Sequence, residues 1–557
     1  MKKLSILLTA ILSLFMIFSA GCGKTNGNNG GGESYTKCNI TGIEYDDVVE
    51  IEDPDLYASE VRVGATSNNA PVDNGIIISP YFTLTVGGVQ IPLYATRCGQ
   101  GLHSFASVIV EKQEKDKKFS LDVVLTAKEA NMSLYERNPS VVVLPEKRSI
   151  KATINGDTVS AKLNDYGSFT FGFNNTNAEG VTVYLYEKDE LTIPDGWTTQ
   201  EIEAGKHSVA DTTFTNSNTV YVFKRGRHLI SSVNIATNSW VYLEDGAYLE
   251  AYPEADEDGK GEYLRVFQCN NGENIKLFGH GVIDFSANEG ANLTTGVGNK
   301  KGVFGFYNCK NFVVEDIISI NGNSWTLCFT DCENVYIEGI MLYGYRTYSD
   351  GIMLSDCRDS YVTKCFVRTG DDAMETKSTS QSGYTKNVTY YDNDCWLDKG
   401  LGYGVVWETN HDVEDVYFKN CSVGFAMATW HTKLGAIEVR LGDHNYSVKN
   451  VYFEDIEVYR CDSQAVINIG LEEQGEIIDK IYFKNIVAKN VSGYMFRLWE
   501  RNIKANGTFG DFYLDNLYRN GVKLTADNIY DKSAYMTEFV LLNSSYIPQD
   551  HIFLGKY

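Results

Sequence analysis

Two different patterns of apolar and polar positions divide the chain. From about Tyr35 to Glu190, short apolar runs alternate with turns, as in F-T-L-T-V-G-G-V-Q-I and V-T-V-Y-L-Y-E. Short strands at roughly even spacing, separated by Gly-Gly and Asn-Gly turns, are typical of an antiparallel β-sandwich. The turn signal I-P-D-G at 193–196 ends this region. We predict a β-sandwich domain over residues 35–198, in which His103 and Arg97 are structural or interface residues.

A repeat replaces this pattern after about Asn216. The unit is approximately N-x-x-[VYF]-x-x-[ILVC]-x-[VIL], and six copies begin at Asn311, Asn334, Asp359, Asn387, Asp415 and Asn450. Their starts lie between 23 (334 − 311) and 35 (450 − 415) residues apart, and later copies begin near Lys480 and Asp511. A unit of this length cannot bury its apolar face alone, so we expect the copies to stack.

The architecture that suits this variable period is a right-handed parallel β-helix, because loops of any length can leave a coil at its turns. Its coils would lie about 4.8 Å apart. Leucine-rich repeats need regular leucines, and propeller blades repeat at roughly 40 to 50 residues, so both fit poorly. We predict an all-β protein in which this solenoid, over residues 199–557, follows the β-sandwich.

The first 34 residues belong to neither region. Lys2 and Lys3 precede an apolar stretch from Leu4 to Phe18, and S-A-G-C at 19–22 follows it. This pattern predicts a lipoprotein-type signal peptide over residues 1–22, cleaved before Cys22 with a lipid attached to its sulfur. Residues 23–34 are rich in Gly and Asn and predict a flexible tether. We expect an extracytoplasmic protein anchored to a bacterial membrane, with simple secretion as the alternative.

Composition and charge narrow the partners. The 557 residues are 13% aromatic, with 36 Tyr against 9 Pro, which favours β-structure. The formal net charge of −24 repels phosphate backbones and other polyanions. Nucleic acid is therefore excluded, a neutral or basic ligand is favoured, and neither a protein partner nor a cofactor is evident.

Twelve cysteines would suggest disulfides in an exported protein, but their positions follow the repeat. Cys365 and Cys421 replace an isoleucine of other copies, and Cys395 falls one inward position later. A second aligned column precedes successive strands and consists of Cys309, Cys332 and Cys357. We interpret these residues as stacked core thiols. Metal binding is disfavoured because no C-x-x-C pair occurs.

Candidate chemistry lies in three aspartates. Asp350, Asp371 and Asp372 each follow a short polar turn and lead into an apolar alternation. The interval of 21 residues (371 − 350) is close to the repeat length, so the acids should lie side by side on one face. The longest loops between copies fall from Thr376 to Tyr446, where they could form a cleft. Clustered carboxylates cannot all ionise comfortably, so one should keep a proton near neutral pH.

For all three acids to reach one cleft, the backbone beside Asp371 and Asp372 must bend. Adjacent Asp371 and Asp372 would point to opposite faces of an ideal strand, so Gly370 is expected to supply a bend. The alternative is that these are turn aspartates that cap strand ends, which is how we interpret Asp356 and Asp359.

Four motifs occur in order: L-F-G-H-G-V-I-D-F at 277–285, G-N-S-W at 322–325, Y-S-D-G-I at 348–352, and T-G-D-D-A at 369–373 with Lys377. From about His228 to Tyr459 the chain resembles the pectinase-like β-helix glycosidases. It is similar to family 28, the polygalacturonases, and to family 49, the dextranases and isopullulanases, which place a β-sandwich before the helix.

This resemblance implies an inverting glycoside hydrolase. Asp371 would be the general acid, while Asp350 and Asp372 would hold and activate a water. No metal and no cofactor are needed for this mechanism.

Departures from the family pattern bear on the substrate. Its Gly-His-Gly corresponds to Gly402-Tyr403-Gly404, and its Arg-Ile-Lys to V-R-L-G at 439–442, in which the lysine is missing. Those basic groups answer the carboxylate of a uronate, so their partial loss in an acidic chain favours a neutral glycan such as an α-glucan. Pectin remains the alternative. Arg440 could face the cleft, or form a structural ion pair with Glu438 or Asp443.

Aromatic rings can pack on the C–H faces of sugars, while polar side chains position hydroxyls. The candidates for substrate contact are Tyr403, Trp407, Trp430, His431, Arg440 and Lys377. Ordinary packing of the aromatic rings onto the solenoid is an equal alternative, and we assign Trp325 to the core.

Two rival functions use the same scaffold. A β-helix polysaccharide lyase would abstract a proton beside a uronate with help from Ca²⁺, but aligned lysines and arginines are scarce. A non-catalytic glycan-binding surface protein is the second rival, because a fold does not fix a function.

Overall fold

The computed structural model describes residues 38–556, apart from 47, 49–74, 100, 113–118, 129–139, 174–179, 189, 252–264, 287–303, 323, 347, 381–382, 428–434, 443–445, 473–474, 502–506 and 542–545. The predicted signal peptide, Cys22 and the tether lie outside these residues. Within them, no helix is long and apolar enough to cross a membrane. The described part is nearly all β, with one short α-helix, α1 (Pro548–His551).

The N-terminal region forms two sheets from twelve strands. They are β1 (Ile40–Gly42), β2 (Ile77–Ile78), β3 (Phe82–Val86), β4 (Val89–Ile91), β5 (Tyr94–Cys98), β6 (Gly101–Val110), β7 (Leu121–Ala127), β8 (Val141–Leu144), β9 (Thr153–Asn155), β10 (Thr158–Leu163), β11 (Gly167–Phe173) and β12 (Gly180–Glu187). One sheet has the order β2-β5-β6-β12-β11-β8 with β1 beside β6, and the other has the order β4-β3-β7-β10-β9. Their facing apolar side chains form one core, as a sandwich requires. All pairs are antiparallel except β6 and β12.

From Thr198 onward the strands pair in parallel, except for one antiparallel pair near the C-terminus, Tyr518–Arg519 with Val522–Lys523. The first half comprises β13 (Thr198–Ile202), β14 (Gly205–Lys206), β15 (Thr219–Phe223), β16 (Gly226–Ile230), β17 (Val233–Asn234), β18 (Ser239–Leu243), β19 (Ala247–Ala251), β20 (Phe267–Asn270), β21 (Glu273–Gly279), β22 (Val282–Asp284), β23 (Phe304–Tyr307), β24 (Lys310–Glu315), β25 (Ile318–Ile320), β26 (Leu327–Thr330), β27 (Glu333–Glu338), β28 (Met341–Tyr343), β29 (Ile352–Ser355), β30 (Arg358–Thr363) and β31 (Phe366–Arg368).

The second half continues the stack. It comprises β32 (Met374–Ser378), β33 (Thr385–Tyr391), β34 (Asp394–Leu397), β35 (Tyr403–Thr409), β36 (Val413–Lys419), β37 (Ser422–Ala426), β38 (Gly435–Leu441), β39 (Ser447–Cys461), β40 (Ala465–Leu471), β41 (Ile477–Ala488), β42 (Tyr494–Glu500), β43 (Thr508–Phe509), β44 (Phe512–Asp515), β45 (Tyr518–Arg519), β46 (Val522–Lys523), β47 (Thr537–Val540) and β48 (Ile552–Leu554).

These strands form a parallel β-helix, as predicted. Eleven of them make one continuous sheet in the order β17-β20-β23-β26-β29-β32-β35-β38-β40-β42-β47, and the others make a 25-stranded sheet. Side chains alternate in and out, so one inward column of the eleven-stranded sheet runs through Ile352, Met374, Tyr403 and Ile437. This column is fully buried in the solenoid core.

The first residue of each of the six repeat copies from Asn311 to Asn450 is a corner in the left-handed backbone region. Asn274, Asn311 and Asn334 have φ values of 57°, 53° and 61°, a conformation that Asn and Asp tolerate better than most residues. The side-chain amides also stack: Asn311 donates to Asn274 at 3.0 Å, and Asn334 donates to Asn311 at 2.6 Å. The repeat therefore begins with Asn or Asp for conformational and hydrogen-bonding reasons.

The sandwich packs against the outer face of the short strands β22, β25, β28, β31, β34 and β37. A separate apolar cluster fills this contact, with Tyr94, Phe105 and Tyr184 from the sandwich against Phe366 and Trp396 from the solenoid. The eleven cysteines that the structure describes are all free thiols, and all except Cys38 are buried.

Candidate active site

The register of the eleven-stranded sheet places two of the three predicted acids in one column. Ile352 pairs with Met374, so Asp350 and Asp372 occupy equivalent positions two residues before strands β29 and β32. The spacing that matches the coil is thus 22 residues (374 − 352), and the partner of Asp350 is Asp372 rather than Asp371. Both side chains are buried, with exposed fractions of 4% and 7%.

Asp371 lies at the rim of the same turn. Its carboxylate accepts the backbone N–H of Tyr348 at 3.1 Å and that of Asp372 at 3.1 Å. It is less buried than its two neighbours. The turn passes so close to the preceding coil that a Cβ on Gly370 would lie 2.3 Å from the carbonyl oxygen of Arg346. Glycine is required here because the backbone of the preceding coil approaches so closely.

A fourth carboxyl, which the sequence did not single out, completes the cluster. Glu375 points outward from β32 and is fully buried, and oxygens of Asp350, Asp372 and Glu375 lie within 4.8 Å of one another. Such a separation could suit a cation. The ammonium of Lys377 already supplies positive charge, at 3.3 Å from Glu375 and 3.6 Å from Asp350.

Lys377 is the cation of the site. Besides the two inner carboxyls, it donates to Glu408 at 2.8 Å and lies 4.9 Å from the ring centre of Trp325. Trp325, which we had assigned to the core, is only partly buried and faces this ammonium. The predicted substrate contact at Lys377 is therefore crowded by three ion-paired carboxylates.

Burial controls the protonation of this cluster. It raises the pKa of Asp350 and of Asp371 well above the ordinary value, with further contributions from neighbouring carboxyls and partial relief from Lys377. Burial likewise raises the pKa of Glu375 to about 8. Carboxyls crowded in this way share protons, so the site holds an acid group that can donate near neutral pH.

A second polar group lies two coils further along the same outward face. Glu438 and Arg440 of β38 are buried, with Arg440 Nε 3.1 Å from Glu438 Oε1. The Arg440 guanidinium lies over the Trp407 ring at 3.5 Å and its Nη1 is 3.8 Å from Glu472. Burial raises the pKa of Glu438 to about 7. Arg440 both faces the outer side of the sheet and forms an ion pair, so the two alternatives coexist.

Tyr403 is wrong as a substrate platform. It lies in the inward column, is fully buried, and its hydroxyl donates to the carbonyl oxygens of Asn393 and Ser422 at 2.8 and 2.9 Å. The hydroxyl thus serves the core. Trp430 and His431 lie outside the described residues, as does Asp443.

Asp356 has the capping role that we assigned to it, whereas Asp359 lies within β30 and belongs to the side-chain ladder at the corner. Asp356 accepts the backbone N–H groups of Thr379 and Ser380, each at 2.8 Å. Asp359 accepts the side-chain amide of Asn387 at 2.6 Å. Asp371 shares this backbone capping, and burial beside two further carboxyls raises its pKa.

Glu375, Glu408 and Glu438 were missed as members of the site. A usable signal existed in their period, because Glu375 and Glu438 share one outward column of the sheet, with Gly404 between them. Asn468, Arg497 and Glu538 continue that column, and the Arg497 guanidinium bonds to both neighbours. A single sequence shows the alternation but not which outward positions loops cover.

Fold and site together define a parallel β-helix carrying a carboxylate cluster, which is the class of the pectinase-like glycoside hydrolases. The family model for "Glycosyl hydrolases family 28" matches residues 232–537. The chain belongs to this family. It is a glycoside hydrolase, and an inverting mechanism is consistent with the family.

Individual relatives are distant. A polygalacturonase from Gossypium barbadense is 24% identical over 288 residues, which cover 48% of this chain and 67% of that protein. Polygalacturonase-2 from Solanum lycopersicum is 24% identical over 200 residues, covering 34% of this chain and 40% of its own length. The solved structure of Dex49A from Penicillium minioluteum covers 94% of this chain and all of its own chain, with a TM-score of 0.57 and 12% identity, and it supports the fold.

Proposed function

We propose that the protein hydrolyses glycosidic bonds of a neutral glycan by single displacement. Asp371 donates the proton to the leaving oxygen, and the stacked pair Asp350 and Asp372 holds and activates the attacking water. The observation that supports these roles is the register, which stacks Asp350 on Asp372 and leaves Asp371 at the more open rim with a raised pKa.

The charges around the cluster support a neutral substrate. Lys377, Arg440 and Arg497, three cations on this face, are buried and already paired with carboxylates of this chain. A uronate carboxylate would have to displace one of those partners and would meet the remaining acids, at a cost that a hydroxyl does not incur. An α-glucan such as dextran fits this balance.

Polygalacturonate is the second candidate, and the family membership and the named relatives favour it. Purified protein should be tested on neutral α-glucans, galactans and polygalacturonate by reducing-end release. We expect turnover on a neutral glycan. Turnover on polygalacturonate alone would reject the substrate proposal and leave the mechanism intact. Products that absorb in the ultraviolet and loss of activity in EDTA would indicate a lyase instead.

The acid assignment has its own test. Asp371→Asn keeps the shape of the side chain but cannot donate a proton, so kcat should fall by about 10²- to 10⁴-fold. Asp359→Asn is the matched control, because that residue forms a ladder hydrogen bond away from the cluster, and its kcat should stay unchanged. An unchanged kcat in Asp371→Asn would reject the assignment. Proton NMR of the first product anomer should show inversion.

We also propose that the mature chain is lipid-anchored through Cys22 outside the cytoplasmic membrane. The support is the lysine pair, the apolar stretch and the S-A-G-C sequence at 19–22. Cells fed an alkyne fatty acid should label the parent chain and not Cys22→Ala. Equal labelling of both would reject the anchor.

A further inference from the structure

A buried polar chain crosses the contact between sandwich and solenoid directly behind the acid turn. It begins at His103 in β6, a residue with no exposed surface. The His103 Nε2 lies 2.8 Å from the Thr182 hydroxyl on the neighbouring sandwich strand β12, and its Nδ1 lies 2.8 Å from Nη1 of Arg368. The sandwich thus reaches a side chain of the solenoid through one imidazole.

Arg368 continues the chain into the solenoid. It is the last residue of β31, three positions before Asp371, and it is fully buried. Its Nε and Nη2 donate to Oδ2 and Oδ1 of Asp398, each at 2.9 Å. This two-point geometry fixes the orientation of both groups.

Asp398 belongs to the segment that braces the catalytic turn. Three residues later, the backbone N–H of Leu401 donates to Oδ1 of Asp372 at 3.0 Å. Between them, a Cβ on Gly400 would lie 2.3 Å from the carbonyl carbon of Asp371, so this backbone packs directly on the acids. A shift of Asp398 would therefore move the donor that holds Asp372.

Burial and the neighbouring charge determine the protonation of His103 in this buried polar chain. Burial and the Arg368 guanidinium lower the pKa of His103, so the ring is neutral. Its Nδ1 accepts from Arg368, and its Nε2–H donates to Thr182. A buried ion pair contributes little net stability compared with apolar side chains of the same size, and its value lies in fixing geometry.

We propose that His103, Arg368 and Asp398 form an anchoring relay through which the β-sandwich positions the catalytic aspartates. The proposal rests on the roles given above to Asp371 and Asp372, and it makes His103 and Asp398 positioning residues. The sandwich is then a part of the catalytic unit.

The test removes the first link and restores it. His103→Leu fills the space but cannot accept from Arg368, whereas His103→Gln offers a carbonyl oxygen to the same guanidinium. We expect kcat to fall about tenfold or more in His103→Leu with KM changed less than about twofold, because small displacements of reacting groups are costly. His103→Gln should recover most of the loss. Asp398→Asn should lower kcat similarly, and the double variant His103→Leu/Asp398→Asn should be no worse than the poorer single variant.

Tyr184→Phe is the matched control. It removes a different contact between the two regions, the hydrogen bond from the Tyr184 hydroxyl to the carbonyl oxygen of Lys364 at 2.6 Å, and does not touch the relay. It should lower the melting temperature with an unchanged kcat.

Hydrogen–deuterium exchange separates this proposal from the proposed function. In His103→Leu, peptides covering 369–373 and 398–402 should exchange faster than in the parent and in Tyr184→Phe. This readout needs no turnover, so it decides the relay even if the parent hydrolyses no glycan. Unchanged exchange and unchanged kcat in a folded His103→Leu would overturn the relay and leave His103 an ordinary interface residue.

Discussion

The acidic side chains of the site outnumber the cation that could neutralise them. Asp350, Asp371 and Glu375 all have raised pKa values because burial removes water from their carboxyls. Lys377 relieves the cluster only partly, since one ammonium faces three carboxylates. The excess of carboxyl groups favours a retained proton, which the proposed function uses, and it makes the stability of the fold depend on pH.

The pH dependence of the free energy of unfolding can be measured at Glu375. Its pKa is raised to about 8 in the folded chain from an ordinary value of 4.5. Between these values the unfolded chain loses the proton and the folded chain keeps it, so the stability that is full below pH 4.5 declines as pH rises toward 8. Glu375→Gln removes this decline and should be more stable than the parent at pH 8, by about 2 kcal/mol or more.

Thermal melts from pH 4.5 to 8.5 check this expectation. The advantage of Glu375→Gln should grow with pH and be absent at pH 4.5. Glu333→Gln is the control, because its side chain is 39% exposed and water screens its charge. A pH-independent difference between Glu375→Gln and the parent would show that Glu375 is ionised in the folded state.

In each strand of the solenoid, the pairing register decides which side chains point into the core and which point outward. On the eleven-stranded sheet, positions one residue apart point to opposite sides, so Tyr403 belongs to the core while the next position faces outward. Its aromatic ring had made Tyr403 a candidate for substrate contact, with ordinary packing as the equal alternative, and the alternative holds. The pairing register, which a single sequence does not show, decides that the Tyr403 side chain points inward.

Tyr403→Phe should therefore change stability and leave catalysis alone. The variant keeps the ring and loses a hydroxyl that donates within the core, leaving the carbonyl oxygens of Asn393 and Ser422 short of a donor. We expect a loss of about 1 to 3 kcal/mol in the free energy of unfolding. Denaturant unfolding and KM measured on the same sample check this.

The control for that variant is Tyr336→Phe, which also loses a hydroxyl hydrogen bond, to Glu338 at 2.6 Å, but on the partly exposed outer face. It should cost less than Tyr403→Phe. A rise in KM of tenfold or more in Tyr403→Phe at unchanged stability would return Tyr403 to the substrate side.

Much of the fold and part of the site could be predicted from the sequence, and the division has a physical cause. The repeat was visible because each coil needs a left-handed corner and an alternating face, which restrict residue types at fixed positions. Asp350 and Asp372 were visible because they recur with the coil, and Asp371 because it adjoins Asp372. Glu375 was not, because its outward column holds Met353 on the previous coil and Gly404 on the next, so the acid that recurs in that column, Glu438, is two coils away.

At the scale of the whole molecule, the contact between sandwich and solenoid joins the two regions through a large apolar surface. Nine large or apolar solenoid residues are buried there against the sandwich: Tyr248, Val282, Ile318, Ile320, Met341, Tyr343, Phe366, Trp396 and Phe425. At roughly 1.5 to 3 kcal/mol for each buried side chain, exposing them costs on the order of 10 kcal/mol or more. Stability of that size is comparable to the total for a domain.

A chain that begins at residue 191 should therefore fail as an independent solenoid. We expect it to be insoluble, or to bind a dye that reports exposed apolar surface, because the uncovered patch is large. A chain that begins at residue 35 is the control and should remain soluble. Soluble, active protein from the shorter chain would contradict both this expectation and the anchoring relay.

The stacked corner asparagines, such as Asn274, Asn311 and Asn334, restrict which coils can be added to the solenoid. Each amide donates to the rung before it, and where Asp359 or Asp415 interrupts the column, the following rung is an asparagine that donates to it, at 2.6 and 3.1 Å. Two aspartates on adjacent rungs would leave a carboxylate without a donor. A coil duplicated into the chain would therefore keep this ladder where an asparagine follows each acidic rung, so length can evolve by whole modules without disturbing the corner.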